Sequence, residues 1–433
     1  MNQHVATVDQ LMSQGHARRI IHQSVTRRSA DGRVVVIDDR ETLNFGSCST
    51  LGLETHPALI AGTIEATRRF GTQFSSSRVY ASVALYAELE GLLSELFGKP
   101  VVACASTTLG HCAALPTLVG DNDAVIVDMQ AHSSMQMAVG LLRARGVTAT
   151  VIRHNDMERL EDKIRSLTST HEKIWYIADG LYSMYGDYAP LDRLEELLDA
   201  HPQFCLYIDD AHGMSWAGEN GTGYVRSRMA HHERMILAVS LNKAFAAGGG
   251  ALVFPNEQLA QLVRTCGGTS IFSGPIQPPM LGAACASARL HLSGELASRQ
   301  RRLAELVAHT NRRLDEAGLP QFEATDSPVF FVSTGLPEAC MNLVEAMKHD
   351  GFLMNAAGFP ATPMRRGGVR FVINVNLRED DIDRMVERLA HHYERAVVAA
   401  GSSVADVAQS FGIPEFTIRA TPTEVFAECG SAA

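Results

Sequence analysis

Reactive side chains follow two of the apolar runs in this sequence. Lys243 comes shortly after the run "ILAV" and is followed by three glycines in "SLNKAFAAGGG". Asp209 comes directly after the run "CLYI", and His212 is three residues further on. A lysine in an apolar setting can form a Schiff base with an aldehyde cofactor, and a carboxylate can keep a pyridine nitrogen protonated. Each residue alone is more often a solvated charge or a turn cap, but their occurrence together predicts a catalytic site.

Hydroxyl groups and a further imidazole occur at comparable positions. His132 follows the run "AVIVD", Ser183 follows "WYIAD", and Ser240 ends "ILAVS". The segment "ASTTLGHCAALPTL" (105–118) has serine and threonine residues ahead of a helical pattern, which is typical of a phosphate site at a helix N-terminus. The DD-x-H cluster could also bind a metal, but no further ligands stand at a recognisable spacing, so no metal site is predicted. "GENGTG" (218–223) is interpreted as a turn rather than a nucleotide loop.

Short apolar runs must position these groups. Each run is typical of a strand buried on both faces, and the runs cover residues 124–128, 173–179, 204–210, 234–240 and 250–254. Helical patterns such as "LDRLEELLDAH" (191–201) separate several of them, and this alternation predicts a mostly parallel sheet with crossover helices. In such a sheet, ligands bind at the carboxyl ends of the strands. The reactive residues are therefore expected to meet at one edge of the sheet.

The chain of 433 residues is too long for one compact core. Helical patterns cover 55–71 and 82–100 ahead of the sheet, and a long helical stretch covers 278–318 after it. A smaller α+β domain is then predicted from strands at 328–334 and 369–375 and a helix at 380–400. The predicted organisation is an N-terminal arm (1–55), a large α/β domain (56–295), a small C-terminal α+β domain (296–400) and a C-terminal extension (401–433) interpreted as a surface appendage.

Composition excludes several classes of protein. Hydrophobic residues make up 46% of the chain and charged residues 20%, which is ordinary for a globular protein. The net charge of −10 argues against nucleic-acid binding. The eight cysteines form no CxxC pair and fit a reducing compartment. The first residues lack the apolar core of a secretory signal, and no apolar run approaches the roughly 18 residues of a membrane span. A cytoplasmic protein without a membrane span is therefore expected.

Several motifs together resemble one enzyme family. "DGLYSMYGDYAPL", "DDAHGMSWAGENGTG", "SLNKAFAAGGG" and "RFVINVNLREDDIDRMVERL" occur in this order and at family-like distances. In this combination the chain resembles the α-oxoamine synthases, which are pyridoxal-phosphate (PLP) enzymes with the fold of aspartate aminotransferase. The resemblance covers about residues 44–400. It implies the PLP-dependent transferase fold of type I, an α/β fold with a mostly parallel central sheet in a PLP-binding domain and a smaller C-terminal α+β domain.

The resemblance also implies roles for residues around the cofactor ring. Lys243 would be the Schiff-base lysine, and Asp209 would pair with the pyridinium nitrogen. His212 would hydrogen-bond the phenolic oxygen, and His132 would stack on the ring. These four are the predicted catalytic residues. Ser183 would contact the cofactor or the substrate carboxylate.

Other residues would bind the phosphate and the substrate. The backbone amides of Thr107 and Thr108 match the phosphate loop, and Ser240 matches a hydroxyl near the phosphate. Ser273 would approach the phosphate of a partner subunit, because the family's active site lies at a subunit boundary. Arg370 matches the arginine that holds the carboxylate of the amino acid.

Three stretches differ from the usual family pattern. Members commonly have glycine and an aromatic residue at the positions of Thr107 and Thr108, and asparagine at the position of His111. Their glycine-rich turn is here "QFSSSR" (73–78), and the segment "FSGPIQPP" (272–279) is altered. These stretches border the phosphate and the acyl-donor entrance in the family, so the identity of the acyl group stays open.

The implied reaction is a decarboxylative condensation. A small α-amino acid would react with an acyl thioester, from acyl-CoA or an acyl carrier protein, to give an α-aminoketone. Lys243, displaced by the amino acid, would act as base on the Cα proton. An aminotransferase and a non-catalytic partner subunit of a related synthase are the alternatives. A homodimer is expected as well.

Overall fold

The computed structural model describes residues 2–419, which divide into two compact units. The larger unit contains residues 48–303 and 374–376, and the smaller unit contains the remaining described residues. The N-terminal segment up to Ser47 thus belongs to the same unit as most of the C-terminal part of the chain. A pattern read along the chain treats that segment as a separate arm, because it does not show which distant residues the segment pairs with.

The strands, in chain order, are β1 (Val25–Arg28), β2 (Val34–Ile37), β3 (Arg40–Asn44), β4 (Val101–Cys104), β5 (Ala124–Asp128), β6 (Thr148–Ile152), β7 (Ile174–Asp179), β8 (Phe204–Asp209), β9 (Met235–Ser240), β10 (Gly250–Val253), β11 (Val329–Gly335), β12 (Phe352–Leu353), β13 (Asn355–Ala357) and β14 (Gly367–Val372). The helices up to the end of the main sheet are α1 (Gln3–Ala17), α2 (Pro57–Phe70), α3 (Leu85–Phe97), α4 (Thr107–Leu118), α5 (Ser133–Ala144), α6 (Met157–Leu167), α7 (Leu191–Ala200) and α8 (Tyr224–Arg228). The later helices are α9 (Glu257–Cys266), α10 (Gly268–Ile271), α11 (Pro278–Leu292), α12 (Leu296–Glu316), α13 (Pro337–His349), α14 (Glu379–Ala399) and α15 (Val404–Phe411).

The larger unit is built on a seven-stranded sheet with the order β4-β10-β9-β8-β7-β5-β6. Its strands are parallel except β10, which runs antiparallel to both β4 and β9. This confirms the predicted mostly parallel sheet. The sequence pattern did not reveal the two edge strands. β4 has only four residues, and β6 is buried only at Ile152, so its residues do not form a uniformly buried run.

Helices α4, α5 and α9 cover one face of this sheet. Leu115, Met135 and Val263 from the helices pack with Val127 and Trp175 from the strands in one buried cluster. Burial of this apolar surface holds the strands and the N-termini of α4 and α5 in a fixed relation. The positions of the side chains at the strand ends follow from that packing.

The smaller unit contains two sheets. The antiparallel sheet β11-β14-β13 has β14 in the middle, and β1, β2, β3 and β12 form the other. The parallel pairing of β12 with β3 joins the N-terminal segment to this unit. Helices α13 and α14 pack against each other. The predicted strands and long helix of the small α+β domain are thus present.

The start of the predicted extension 401–433 is packed rather than peripheral. Helix α15 buries Val407, Ala408 and Phe411, and it contacts β11. Its apolar residues recur at helical spacing, which a reading focused on the Gly, Ser and Pro residues of this segment overlooks. Residues 420–433 of the extension lie outside the described residues. Within residues 2–419, no helix combines the length and the apolar character needed to cross a membrane.

Candidate active site

A cleft of about 190 Å³ opens beside the carboxyl ends of β5, β7, β8 and β9 in the larger unit. Most of the predicted cofactor residues line it, namely Thr107, Thr108, His132, Asp209, His212, Ser240 and Lys243. They come from separate stretches between residues 107 and 243. Because parallel strands end at the same edge of the sheet, the fold brings these side chains together.

Asp209 is the buried carboxylate of the cleft. Its Oδ1 accepts a hydrogen bond from the Ala211 backbone N–H at 2.8 Å, and its Oδ2 lies 3.0 Å from Nε2 of His111. Burial raises the pKa of Asp209, but the hydrogen bond and charge of His111 and the charge of Lys243 outweigh it and lower the pKa below its ordinary value. Asp209 is therefore held as an anion, which is the form that can pair with a protonated ring nitrogen.

Asp179 is a second buried carboxylate, at the end of the neighbouring strand. Asp179 and Asp209 are paired residues of β7 and β8. Burial and the Asp209 charge raise the pKa of Asp179 well above its ordinary value. Its Oδ2 accepts the His132 backbone N–H at 2.8 Å. Asp179 thus holds the start of α5, where His132 is the N-cap residue.

The His132 side chain is oriented by its own helix. Its Nδ1 lies 2.7 Å from the Ser134 hydroxyl oxygen. Desolvation lowers the pKa of His132, and the charges of Lys243 and His111 lower it further, against the opposing effect of Asp209. A neutral, fixed imidazole is suited to stacking on a cofactor ring.

Lys243 lies in a closed loop between β9 and β10. The Leu241 N–H donates to the Gly249 carbonyl at 3.0 Å, and the Ala247 N–H donates to the Leu241 carbonyl at 2.8 Å. From α11, the Ser287 hydroxyl donates to the Phe245 carbonyl at 2.6 Å. These bonds fix the backbone on both sides of the half-buried lysine. The point from which its side chain extends into the cleft is therefore fixed as well.

The N-terminus of α4 provides the anion site of the cleft. Ser106 is its N-cap residue and accepts from the Leu109 N–H at 3.2 Å, while Thr107 and Thr108 are the first two helical residues. Amides at this position have no acceptor within the helix and carry the positive end of its dipole. A Cβ added at Gly250 would lie 2.6 Å from the Thr107 backbone nitrogen, so glycine is required for β10 to pass this close.

The loop that carries His212 is held by Asp210. The Asp210 Oδ2 accepts the Val225 N–H at 2.9 Å, and burial raises the pKa of Asp210 well above its ordinary value. Gly223 has φ +100°, and a Cβ there would lie 2.3 Å from Asp210 Oδ2. The segment predicted as a turn (218–223) is thus a tight connection that packs on this carboxyl group and leads into α8.

Three predicted site residues are not among those that line the cleft in the described chain. Ser183 is half-buried in the segment that follows β7. Ser273 lies beside Arg78 and Tyr86 at a separate, much smaller cavity. Arg370 belongs to the smaller unit, where it is only 6% exposed on the middle strand β14. Their roles stay predictions.

Two residues of the site were not predicted. Asp179 is visible as the last residue of an apolar run, but the sequence by itself assigns it no role. His111 was noticed only as a difference from the family, although it stands one helical turn after Thr107 and therefore on the same face of α4. Within residues 2–419, no group of three or more His, Cys, Asp or Glu side chains is arranged to hold a metal ion.

Comparison with known proteins gives this site its context. Residues 40–389 match the family of class I and II aminotransferases. The chain belongs to this family. Among its members, an 8-amino-7-oxononanoate synthase from Maricaulis maris is 30% identical over 384 residues, which are 88% of this chain and 94% of that protein. A serine palmitoyltransferase from Sphingobacterium spiritivorum is 26% identical over 84% of this chain and 90% of its own length.

Solved structures of the family share the fold. A serine palmitoyltransferase from S. paucimobilis with bound PLP and myriocin covers 91% of this chain and 99% of its own, with a TM-score of 0.83 at 21% identity. This confirms the predicted PLP-dependent transferase fold. With the relatives named above, it identifies the chain as a PLP-dependent enzyme of the α-oxoamine synthase type.

The groups that line the cleft fit PLP. The site offers an amine for the aldehyde, an ionised carboxylate for the ring nitrogen, an imidazole for the ring face and a helix N-terminus for the phosphate. These are the four kinds of contact that the cofactor requires. Lys243, Asp209, His132 and the Thr107–Thr108 amides would hold it.

Proposed function

We propose that this enzyme condenses a small α-amino acid with an acyl thioester, with loss of carbon dioxide, to give an α-aminoketone. The observation that carries the proposal is that the Lys243 amine and the ionised Asp209 carboxylate line the same cleft. The names of the relatives support the same chemistry, since both refer to enzymes of the α-oxoamine synthase type. The amino acid, the acyl chain and the carrier, coenzyme A or a carrier protein, are not assigned.

PLP, when bound, supplies an electron sink for the bond that breaks at Cα. We assign the other roles in the reaction to residues of the protein. Asp209 keeps the ring nitrogen protonated, so that negative charge can be accepted. Lys243 takes the Cα proton, and its fixed loop directs the amine to that atom. His212 donates to the phenolic oxygen, and Ser240 and the α4 amides hold the phosphate.

The substrate carboxylate is assigned to Arg370, with Ser183 as a further contact. A guanidinium can donate two parallel hydrogen bonds to a carboxylate. Arg370 is a buried arginine in the middle of a sheet, not a solvated residue on an edge strand.

A homodimer is proposed to complete the site. Tyr80 and Phe272 are 82% and 87% exposed, on segments that are joined by the hydrogen bond from the Ser77 hydroxyl to the Ile271 carbonyl. Exposed aromatic residues on adjacent segments are typical of a surface that another protein covers. Ser273 lies next to Phe272 and would reach the phosphate of the partner's cofactor. A cytoplasmic location is proposed with this assembly.

One coupled assay tests the reaction. The enzyme would be mixed with PLP, a panel of small amino acids and a panel of acyl thioesters, and free thiol and carbon dioxide would be measured together. Equal release of both, with an aminoketone product, is the expected result. Release of a keto acid without thiol would indicate an aminotransferase. No turnover with any pair, together with failure to retain PLP, would favour a non-catalytic subunit.

A further inference from the structure

His111 is joined to Asp209 beneath the cleft. The imidazole is fully buried, and its Nε2 lies 3.0 Å from Asp209 Oδ2. Its other nitrogen, Nδ1, lies 2.9 Å from the hydroxyl oxygen of Tyr207, which is also fully buried. A single histidine thus links a tyrosine and a carboxylate on β8 to helix α4, which carries the phosphate-binding amides.

The hydrogen bond between His111 and Asp209 has only one possible direction. An ionised Asp209 can only accept, so Nε2 of His111 must carry a proton and donate it. Burial and the Asp209 charge raise the pKa of Tyr207 well above its ordinary value, so the Tyr207 hydroxyl keeps its proton. That hydroxyl can donate to Nδ1 of a neutral imidazole or accept from the Nδ1–H of a charged one. In both cases Tyr207, His111 and Asp209 form one continuous chain of hydrogen bonds.

The arrangement leaves the Asp209 carboxylate strongly constrained. Oδ1 is held by the Ala211 N–H and Oδ2 by His111. The other charged or titratable groups whose fields reach Asp209 or His111 include Lys243, Asp179, Asp210 and His132. His111 makes a direct hydrogen bond to Asp209, and a hydrogen bond inside the low-dielectric interior is stronger than at the surface.

We propose that His111 is a positioning residue that keeps Asp209 ionised and aimed at the ring nitrogen of PLP, with Tyr207 holding the orientation of the imidazole. This inference rests on the proposed assignment of Asp209 to the ring nitrogen. The competing interpretation is that His111 only fills space in the core between α4 and β8. The two interpretations differ in what they predict for the charge on the ring nitrogen.

Three substitutions separate these interpretations. His111→Leu fills most of the space but removes the donor to Asp209. His111→Gln places an amide N–H close to the position of Nε2 and restores a neutral donor. Tyr207→Phe keeps the ring and removes only the hydroxyl that faces Nδ1. Asp209→Ala is the reference that removes the carboxylate itself.

The decisive measurement is the 15N chemical shift of PLP labelled at its ring nitrogen, in the holoenzyme of each variant. The wild type is expected to show the protonated nitrogen and Asp209→Ala the neutral one. His111→Leu should move toward the neutral value, with kcat reduced roughly 10–100-fold, the range typical when a partner that orients a site ligand is removed. The 15N shift in His111→Gln should be close to the wild-type value. The shift in Tyr207→Phe should lie between the values of the wild type and His111→Leu. Thermal unfolding of the apoproteins checks that each variant folds.

Two results would overturn the proposal, and they are distinguishable. If His111→Leu keeps the wild-type shift while Asp209→Ala loses it, His111 is a packing residue and the Asp209 assignment stands. If Asp209→Ala also keeps the wild-type shift, the assignment of Asp209 to the ring nitrogen is wrong. If His111→Leu does not fold, the 15N shifts of Tyr207→Phe and His111→Gln are compared with the wild-type shift instead. This comparison decides between the same two outcomes. In the apoprotein, 15N-labelled histidine spectra should show His111 protonated at Nε2.

Discussion

Asp179 and Asp209 are paired residues at the ends of two adjacent parallel strands, and the pKa values of their carboxyl groups are shifted in opposite directions. Asp209 receives the hydrogen bond of His111 and the field of Lys243, which lower its pKa despite burial. Burial and the Asp209 charge raise the pKa of Asp179. Two neighbouring carboxyl groups whose pKa values are shifted in opposite directions can serve different purposes. One is suited to pair with a cation, and the other to accept a backbone hydrogen bond as a neutral group.

The first prediction follows from this division. Asp179→Asn should be tolerated, because an amide oxygen can still accept the His132 N–H and no charge is lost. Asp209→Asn should abolish turnover, since a neutral amide cannot hold a protonated ring nitrogen. Steady-state kinetics and PLP affinity of the two matched variants test this. Comparable losses in both would contradict the different roles that the opposite pKa shifts predict for the two carboxyl groups.

The second prediction is the covalent attachment point of the cofactor. Borohydride reduction of the holoenzyme should fix the cofactor on Lys243, because its amine lines the cleft. Lys243→Ala should lose turnover, whereas the exposed Lys173→Ala should behave like the wild type. Peptide mass spectrometry locates the modified lysine. A reduced cofactor found on any other lysine would refute the assignment.

The third prediction concerns Arg370. Arg370→Ala should retain PLP but raise the KM for the amino acid by roughly 10–150-fold, the loss expected for one charged hydrogen-bonded contact. Arg365→Ala is the matched control, since Arg365 lies nearby in sequence but is exposed. Circular dichroism confirms that both variants fold. Unchanged amino-acid kinetics in Arg370→Ala would move the carboxylate site elsewhere, with Arg78 as the next residue to test.

The fourth prediction concerns pH and stability. His154 lies between two buried carboxylates, with Nδ1 2.9 Å from Asp128 and Nε2 2.6 Å from Asp187. Burial lowers the pKa of His154, but the hydrogen bonds and charges of Asp128 and Asp187 outweigh this effect and raise the pKa to about 9. Because the folded-state pKa is raised, the stabilisation is fully present below the ordinary pKa of 6.5 and is lost as the pH rises through about 9.

Urea unfolding of the apoprotein between pH 6 and pH 10 measures this contribution. The raised pKa corresponds to on the order of 3 kcal/mol. The wild type should unfold at a higher midpoint urea concentration than His154→Gln, and this difference should therefore narrow as the pH rises. His171→Gln, at a partly exposed histidine, serves as the control. A gap that is constant across the whole range would show that His154 is not held in its charged form.

The fifth prediction concerns assembly. Phe272→Glu should weaken the dimer, because it places a charge on the exposed apolar surface that includes Tyr80. Val398→Glu changes another exposed apolar residue, 67% exposed on α14 in the other unit, and should leave assembly unchanged. Sedimentation equilibrium measures both variants. A wild-type monomer that binds PLP and turns over would contradict the dimer.

The strands that carry the site could be found from local patterns. β5, β7, β8 and β9 are uniformly buried, so each appears as an uninterrupted apolar run, and the residue after each run lies at the edge of the sheet. For this reason the sequence predicts that Lys243, Asp209 and His212 lie together. The edge strands β4 and β6 do not stand out in the sequence, because the first is very short and the second is largely open to solvent.

The sequence by itself determined the chemical groups of this enzyme, the strands that present them and the family to which they belong, because these depend on residue type and on spacing over a few positions. Only the tertiary structure decided which groups touch. His111 and Asp209 are 98 residues apart, and their contact depends on how α4 packs on β8 across the sheet order. The opposite pKa shifts of Asp179 and Asp209 likewise arise from burial and from neighbours in space. Such pairings are set by long-range packing, and no local pattern in the chain carries them.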